Sequence, residues 1–534
     1  MRSTGGYERC QNGRVQRAGI PFRLRTVVRV LAGRGQWHLM LRITILAACL
    51  FALSSSCAWA QVADSTRPPN AADLAGVWAG ALEHDGDRQP VALHLEAADS
   101  GRMVVKFSMP VVHLDKTEFG RPRLVVNGDS IRLGPFRLYY QPAGPTLSGT
   151  MPAGLVPVYE IPFVLRKVER FDAPARAAMP APTAKPVWTY DAGAALWAGP
   201  TFEAGTVYVG AEDGMLHALD ARSGSKRWVF RAGGKIRTRP TVSQRSVYVQ
   251  ADDGNLYKLD AATGAQRWRA KVVESPIERL PFDNPRSRFD RFGSDVVVSG
   301  GRLFVGTHEG KVLALDPRDG SRIWAFESGD AVLAAPAITN DRVVFGSYDH
   351  FVYALDLKSG RELWRRDTRG AVVSTPAIDG DRVIVGNRAY DLLGLDLSTG
   401  EVEWKRYIWM SWVESSPTLR DSVVYVGSSD AAAVFAVDAR TGRPRWTADV
   451  HGWSWGQPAV SATRVYSGTS SQVGYLAQHA GGIVALDRGT GAVVWRYDSP
   501  APASGPYGFP GSPALGAGLV FVGGLDGRLV AFRE

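Results

Sequence analysis

The chain has 534 residues, 58 of them Gly and 16 Trp, and only 21% are charged. That length supports more than one domain, and many turn-formers beside many large apolar side chains point to an all-β protein. The net charge of +10 suggests a nucleic-acid binder until it is located: residues 1–60 carry +8 of it, nine Arg against Glu8, so the remainder is nearly neutral and that class is set aside.

Residues 1–60 read as a leader. Arg42 precedes an apolar run from Ile43 to Leu53, and Ala58-Trp59-Ala60 forms an A-x-A cleavage pattern ahead of Gln61. This is a secretory signal peptide, too short to span a bilayer, and an ordinary one would begin at Met40. Ser54-Ser55-Ser56 before Cys57 makes a poor lipid-attachment site. Cys10, Cys49 and Cys57 all lie in the leader, so the mature chain is expected to use neither disulfides nor thiol chemistry. Export to the periplasm follows, with no transmembrane span in the mature chain.

After a linker over 61–72, residues 73–172 alternate as short strands opened by Gly76-Val-Trp-Ala-Gly80, predicting a small β-barrel or sandwich. Residues 173–186 are a Pro/Ala-rich, semi-extended spacer.

Residues 187–534 are repetitive. Trp228, Trp268, Trp324, Trp364, Trp404, Trp446 and Trp495 each follow a Gly by four residues, and an Asp precedes that Gly by four. Trp188 adds an eighth Trp, 40 residues before Trp228, and a truncated copy ends at Phe532. Within a unit, Val207-Tyr-Val209, a turn at Glu212-Asp-Gly214, and Met215 to Leu219 alternate as strands. The Asp220–Gly224 turn, with Asp capping and Gly at positive φ, then leads into the strand of Trp228. Such units cannot bury both sheet faces alone, so the eight Trp are predicted to dock between neighbouring blades. The units run 189–228, 229–268, 269–324, 325–364, 365–404, 405–446, 447–495 and 496–534. The last lacks its own Trp strand, so lending it the Trp188 strand would close an eight-bladed β-propeller without exposed edges.

The pattern Ala-x-Asp-x-x-Thr/Ser-Gly-x-x-x-Trp, as in Ala218–Trp228, resembles the quinoprotein (PQQ-type) propeller repeat. That repeat is shared by PQQ-dependent dehydrogenases and BamB-like outer-membrane assembly lipoproteins. The resemblance implies either an exported, non-catalytic binding or scaffold propeller of the bacterial envelope, outer-membrane associated and monomeric, or a PQQ-dependent oxidoreductase. In the enzymes the quinone lies on the propeller axis, on a Trp floor beneath a vicinal disulfide, with calcium held by Glu, Asn and Asp. This chain has no mature Cys pair, no matching ligand set and no long roofing insertions. No cofactor is therefore expected, PQQ with calcium being the alternative, and the protein is read as leaning away from enzymes. The eight mature His residues lack metal-ligand spacing, and no phosphate-cradling loop leads from a strand into a helix.

What remains is binding. The segments before Pro200, Pro240, Pro336, Pro376, Pro417, Pro458 and Pro513 should line the channel mouth. Ala331–Ala335 and Ala371–Thr375 are bland there, but others carry Trp412, Glu414, Trp453, Trp455 and Tyr507, with Arg237, Arg239 and Arg291 elsewhere around the ring. Aromatic and Arg side chains are enriched at binding hot spots, so these eight are the candidate ligand or partner contacts, aromatics on one side and arginines on the other. They equally suit a plug for the channel. A carbohydrate-binding or sensory propeller is the third reading. Two long units, with extra length at about 272–292 and 470–481, place inserts where repeat proteins often bind.

Overall fold

The computed structural model describes residues 68–534 except Pro135, 154–158, 281–283, 285–290, Leu476 and Gln478. The leader with its three Cys, and the charged run that precedes Arg291, lie outside the described residues.

The first domain opens with a single helical turn, α1 (Ala71–Leu74), and continues as β1 (Gly76–His84), β2 (Asp87–Ala98), β3 (Arg102–Met109), β4 (Leu114–Gly120), β5 (Leu124–Asn127), β6 (Ser130–Leu133), β7 (Phe136–Gln141), β8 (Thr146–Ala153) and β9 (Tyr159–Val168). These form one antiparallel sheet in the order β4-β3-β2-β1-β9-β8-β7-β6-β5. The sheet curls until Arg102 bridges Arg123 and the Met103 amide donates to the Pro122 carbonyl at 3.0 Å, joining β3 to the approach of β5 in a barrel-like closure. Alternating residues point inward and build a core around fully buried Trp78, whose indole N–H donates to the Leu74 carbonyl at 2.7 Å.

The remaining strands form eight antiparallel blades of four strands, the seventh joined by a fifth strand, Pro506–Gly508. Blade 1 comprises Thr201–Glu203, Thr206–Gly210, Met215–Asp220 and Lys226–Arg231; blades 2 to 7 occupy 241–271, 297–327, 337–367, 377–407, 418–449 and 459–498. Blade 8 takes three strands from 514–533, and its outermost strand is β10 (Trp188–Asp191), paired antiparallel with Arg528–Arg533. The two chain regions thus close the ring.

Seven of the eight blade-ending Trp residues pack on the next blade's turn. A Cβ added at Gly224, Gly264, Gly360 or Gly400 would lie 2.6–2.7 Å from the ring of Trp188, Trp228, Trp324 or Trp364. Those glycines also hold φ between 70° and 74°, so the turn demands Gly twice over. The indole N–H then donates into the same turn, from Trp188 to the Ala221 carbonyl at 3.0 Å and from Trp364 to that of Leu397 at 2.9 Å. The turn Asp holds its loop, Asp220 accepting from the Arg222 and Ser223 amides. Trp495 meets a different neighbour: blade 8 has no such turn, and the ring packs on Phe532 at 5.8 Å.

The 173–186 segment is strapped to the propeller rim. Arg176 makes two bonds to Asp449, at 2.6 and 2.7 Å, and the Thr183 and Ala184 amides both donate to the Arg496 carbonyl. Among the described residues no helix is long and apolar enough to cross a membrane.

Replacing Trp324, which is nine-tenths buried, by Ala should cost about 3–5 kcal/mol in chemical denaturation, whereas Trp495→Ala, lacking the turn partner, should cost less.

Candidate functional site

Eight inter-blade segments converge on the axis, each entering the innermost strand of its blade. Gly199, Arg239, Asp295, Ala335, Thr375, Ser416, Gln457 and Ser512 form one ring around a small cavity of about 80 Å³. Their polar side chains knit neighbouring blades together. Asp295 accepts from the Arg239 amide at 2.6 Å, Thr375 from the Ala335 amide at 3.1 Å, Ser416 from the Thr375 amide at 2.9 Å, and Ser512 from the Gln457 amide at 2.9 Å. Thr375, bland in the sequence, is therefore part of the ring. Burial pushes the Asp295 carboxyl up to about 6 against the bond from the Arg239 amide and the Arg239 charge.

A second layer lies toward the mouth and centres on Glu414. This buried carboxylate accepts from Arg291 at 3.0 Å and from Arg388 Nε and Nη2 at 2.7 and 2.6 Å. All three side chains are under a tenth exposed. The Arg291 guanidinium lies 3.7 Å above the Trp455 ring, and Trp455 stacks on Trp453 with centroids 4.8 Å apart and planes at 14°. Arg388 sits between the Tyr348 and Trp412 rings, at 4.9 and 4.7 Å. Trp453 donates to Asp430 at 3.3 Å, and the Tyr475 hydroxyl bonds the same carboxylate; burial raises the pKa of Asp430. Across the axis Arg237 covers Trp197 at 4.9 Å, pairs with Glu212 and donates to the Arg291 carbonyl at 3.2 Å.

Six of the eight predicted contacts, Trp412, Glu414, Trp453, Trp455, Arg237 and Arg291, thus fall in one network, and Arg239 lies on the axial ring below it. Tyr507 does not join them. It pairs with Ser471 at the extended end of strand Arg464–Gln472 and donates to the His479 carbonyl at 3.4 Å. The expected division into an aromatic side and an arginine side is also not what forms. Guanidinium groups lie on indole faces, because a buried cation is stabilised by both a carboxylate and a π-face.

Trp197, Arg388, Asp430 and Tyr475 belong to the network but were not singled out in the sequence. Arg388 had a legible signal: Arg388-Ala-Tyr390 stands where blade 1 has Glu212-Asp-Gly214.

The first domain covers part of this face. Tyr390, Tyr407 and Trp409 join its hydrophobic core, and Met410 and Trp412 pack against it. The Trp409 indole donates to Asp87 at 2.6 Å, and Lys405 pairs with Asp85 at 3.1 Å. Nearby, three histidines meet at the junction of domain, strap and blade 7. His113 bonds the Ala431 carbonyl at 2.9 Å, His451 bonds that of Ala177 at 3.0 Å, and His479 lies 6.3 Å from His113, ring centre to ring centre. Burial, with the Arg176 charge behind it, pushes His479 down to about 3. Among the described residues no group of three or more His, Cys, Asp or Glu is placed to hold a metal ion.

Fold and repeat together define a propeller of the PQQ type. The family profile described as outer membrane protein assembly factor BamB matches residues 175–288, 279–411 and 407–534, and the chain belongs to that family. The outer membrane protein assembly factor BamB of Yersinia pestis is 34% identical over 114 residues, 21% of this chain and 26% of that protein. The quinohemoprotein alcohol dehydrogenase of Comamonas testosteroni is 28% identical over 136 residues, 22% of this chain and 18% of that enzyme. The chain thus spans about a quarter or less of these curated relatives. The crystal structure of BamB from Moraxella catarrhalis superposes with a TM-score of 0.50 at 18% identity, over 66% of this chain and all of that one, which shows the shared fold.

A tricyclic quinone would need a flat aromatic floor with space above it. Here the chain's own Arg291 occupies the Trp455 face, Glu414 is consumed by two guanidinium groups, and the axial cavity has room for a few waters only. These residues do not fit that group.

Two measurements check this account. Glu414→Ala strands two buried guanidinium groups and should destabilise the protein by about 3–5 kcal/mol in denaturant titration. His479 stays neutral in the folded protein while the unfolded chain takes a proton below about 6.5, so its contribution to stability is lost as pH falls from 6.5 toward 3. Asp295, raised to about 6, works the other way and gains as pH falls through 6 toward its ordinary value. Melting temperature against pH should fall less steeply in His479→Gln and more steeply in Asp295→Asn than in the parent.

Proposed function

We propose that this chain is an exported, non-catalytic binding or scaffold propeller of the bacterial envelope, working in the periplasm beside the outer membrane. The observation that carries this reading is the axis: Arg291, Glu414, Arg388, Trp453 and Trp455 satisfy one another where a catalytic propeller would keep room for a cofactor. Membership in the BamB family and the A-x-A cleavage pattern ahead of Gln61 support it. The partner is a protein of the envelope, and the first domain is an accessory module seated on the propeller's face through Asp87 and Trp409.

A PQQ-dependent oxidoreductase is the second reading, favoured by the similarity to the quinohemoprotein alcohol dehydrogenase. A sugar-binding propeller would need free indole faces, and Trp453 and Trp455 are buried against each other and under Arg291.

Expression of the tagged chain in its native host, followed by cell fractionation and reversible cross-linking, tests the proposal. The expected result is a chain processed near Ala60, recovered with the envelope, and cross-linked in a saturable stoichiometric complex with one envelope protein. A chain retained unprocessed in the cytoplasm, or one free of any stoichiometric complex, would overturn it.

A further inference from the structure

Beside the axis, on the same face, lies a second cleft of about 300 Å³. That is the lower end of the size range of ligand sites. Its floor is apolar, made by Val273, Ile277, Ala331, Leu333 and Tyr348, and Leu333 also lines the axial cavity. Its rim carries two carboxylates, Glu278, which is exposed, and Glu309, which pairs with Lys311 at 3.4 Å.

The wall that bears Glu278 is the described start of the long insert in the third repeat, and it is held rigidly. The Ile277 amide donates to the Asp252 carbonyl at 2.6 Å, and Arg279 turns inward to clasp the Asp252 carboxylate at 2.6 and 2.8 Å, both side chains almost fully buried. The Glu274 amide donates to Glu309 at 2.7 Å, tying that wall to the turn of blade 3. Arg279, the one cation adjacent in sequence to Glu278, is therefore spent elsewhere. Glu278 itself lines the cleft, and among the described residues it has no ion-pair partner. An apolar floor beneath the exposed Glu278 carboxylate matches a side chain with an apolar stem and a cationic head.

We propose that this cleft takes a lysine or arginine side chain of a partner protein, presented next to an apolar residue, with the stem on Leu333 and Ile277 and the cation at Glu278, beside the Glu309–Lys311 pair. The proposal rests on the scaffold reading and gives the partner's contact segment a chemistry: basic and amphipathic.

The test uses the mature chain with methyl-labelled Ile, Leu and Val and an amidated peptide of alternating leucine and lysine, against its leucine–glutamate counterpart. The lysine peptide should shift the methyl signals of Ile277 and Leu333 saturably and bind at least tenfold more tightly than the glutamate peptide. Glu278→Lys, an exposed change that leaves the fold intact, should weaken binding at least tenfold, and Ser275→Trp, which fills the cleft, should abolish the two methyl shifts. Equal binding of both peptides, shifts confined to other methyls, or binding untouched by either variant would overturn the site. An envelope complex formed equally well by the parent and by Glu278→Lys would also overturn it while leaving the scaffold reading standing. Loss of the complex from the parent itself would instead count against that reading.

Discussion

The architecture hangs on one repeated contact, an indole laid across a glycine in the next blade's turn. The glycine is needed both for its left-handed backbone and because any side chain would strike the ring, as at Gly224 beneath Trp188 and Gly400 beneath Trp364. Asp four residues earlier fixes the turn, and the indole N–H bonds a carbonyl inside it. Each blade thereby completes its neighbour's core, and none can be stable alone. The contact also explains the route of the chain: blade 8 ends at the C-terminus without a Trp strand, and Trp188 arrives from the far end of the sequence to supply it.

Once the ring is closed, the axis becomes a problem of charge. Eight segments bring arginines and carboxylates into a space with little water, where an unpaired ion would cost several kcal/mol. The chain answers with pairs and π-faces: Glu414 between Arg291 and Arg388, Arg291 on Trp455, Arg237 between Glu212 and Trp197. This arrangement fills the channel at the same stroke. Beside the axis, the first domain takes Tyr407 and Trp409 into its own core.

Much of this was legible in the sequence because it is periodic. The Asp–Gly–Trp spacing in seven copies announces the blades, and the lone Trp188 announces the closure. Aromatic residues before the recurrent prolines were legible as channel residues, but not their partners. Trp409 finds its acceptor in Asp87, 322 residues earlier, which no local pattern announces. Arg388 gave only a turn that lacks its glycine, and the strap over 173–186 reads as a spacer because Arg176 finds Asp449 only in three dimensions. Periodic patterns report local geometry, while ion pairs between distant segments leave no periodic trace.

The axis is closed by the chain's own side chains, whose packing does not fit a quinone. Calorimetric and absorbance titration of the purified mature protein with PQQ, with and without calcium, addresses it directly. The account predicts no saturable heat, no change in quinone absorbance and no rise in melting temperature. Saturable, calcium-dependent binding with a raised melting temperature would contradict it and return the protein to the oxidoreductases.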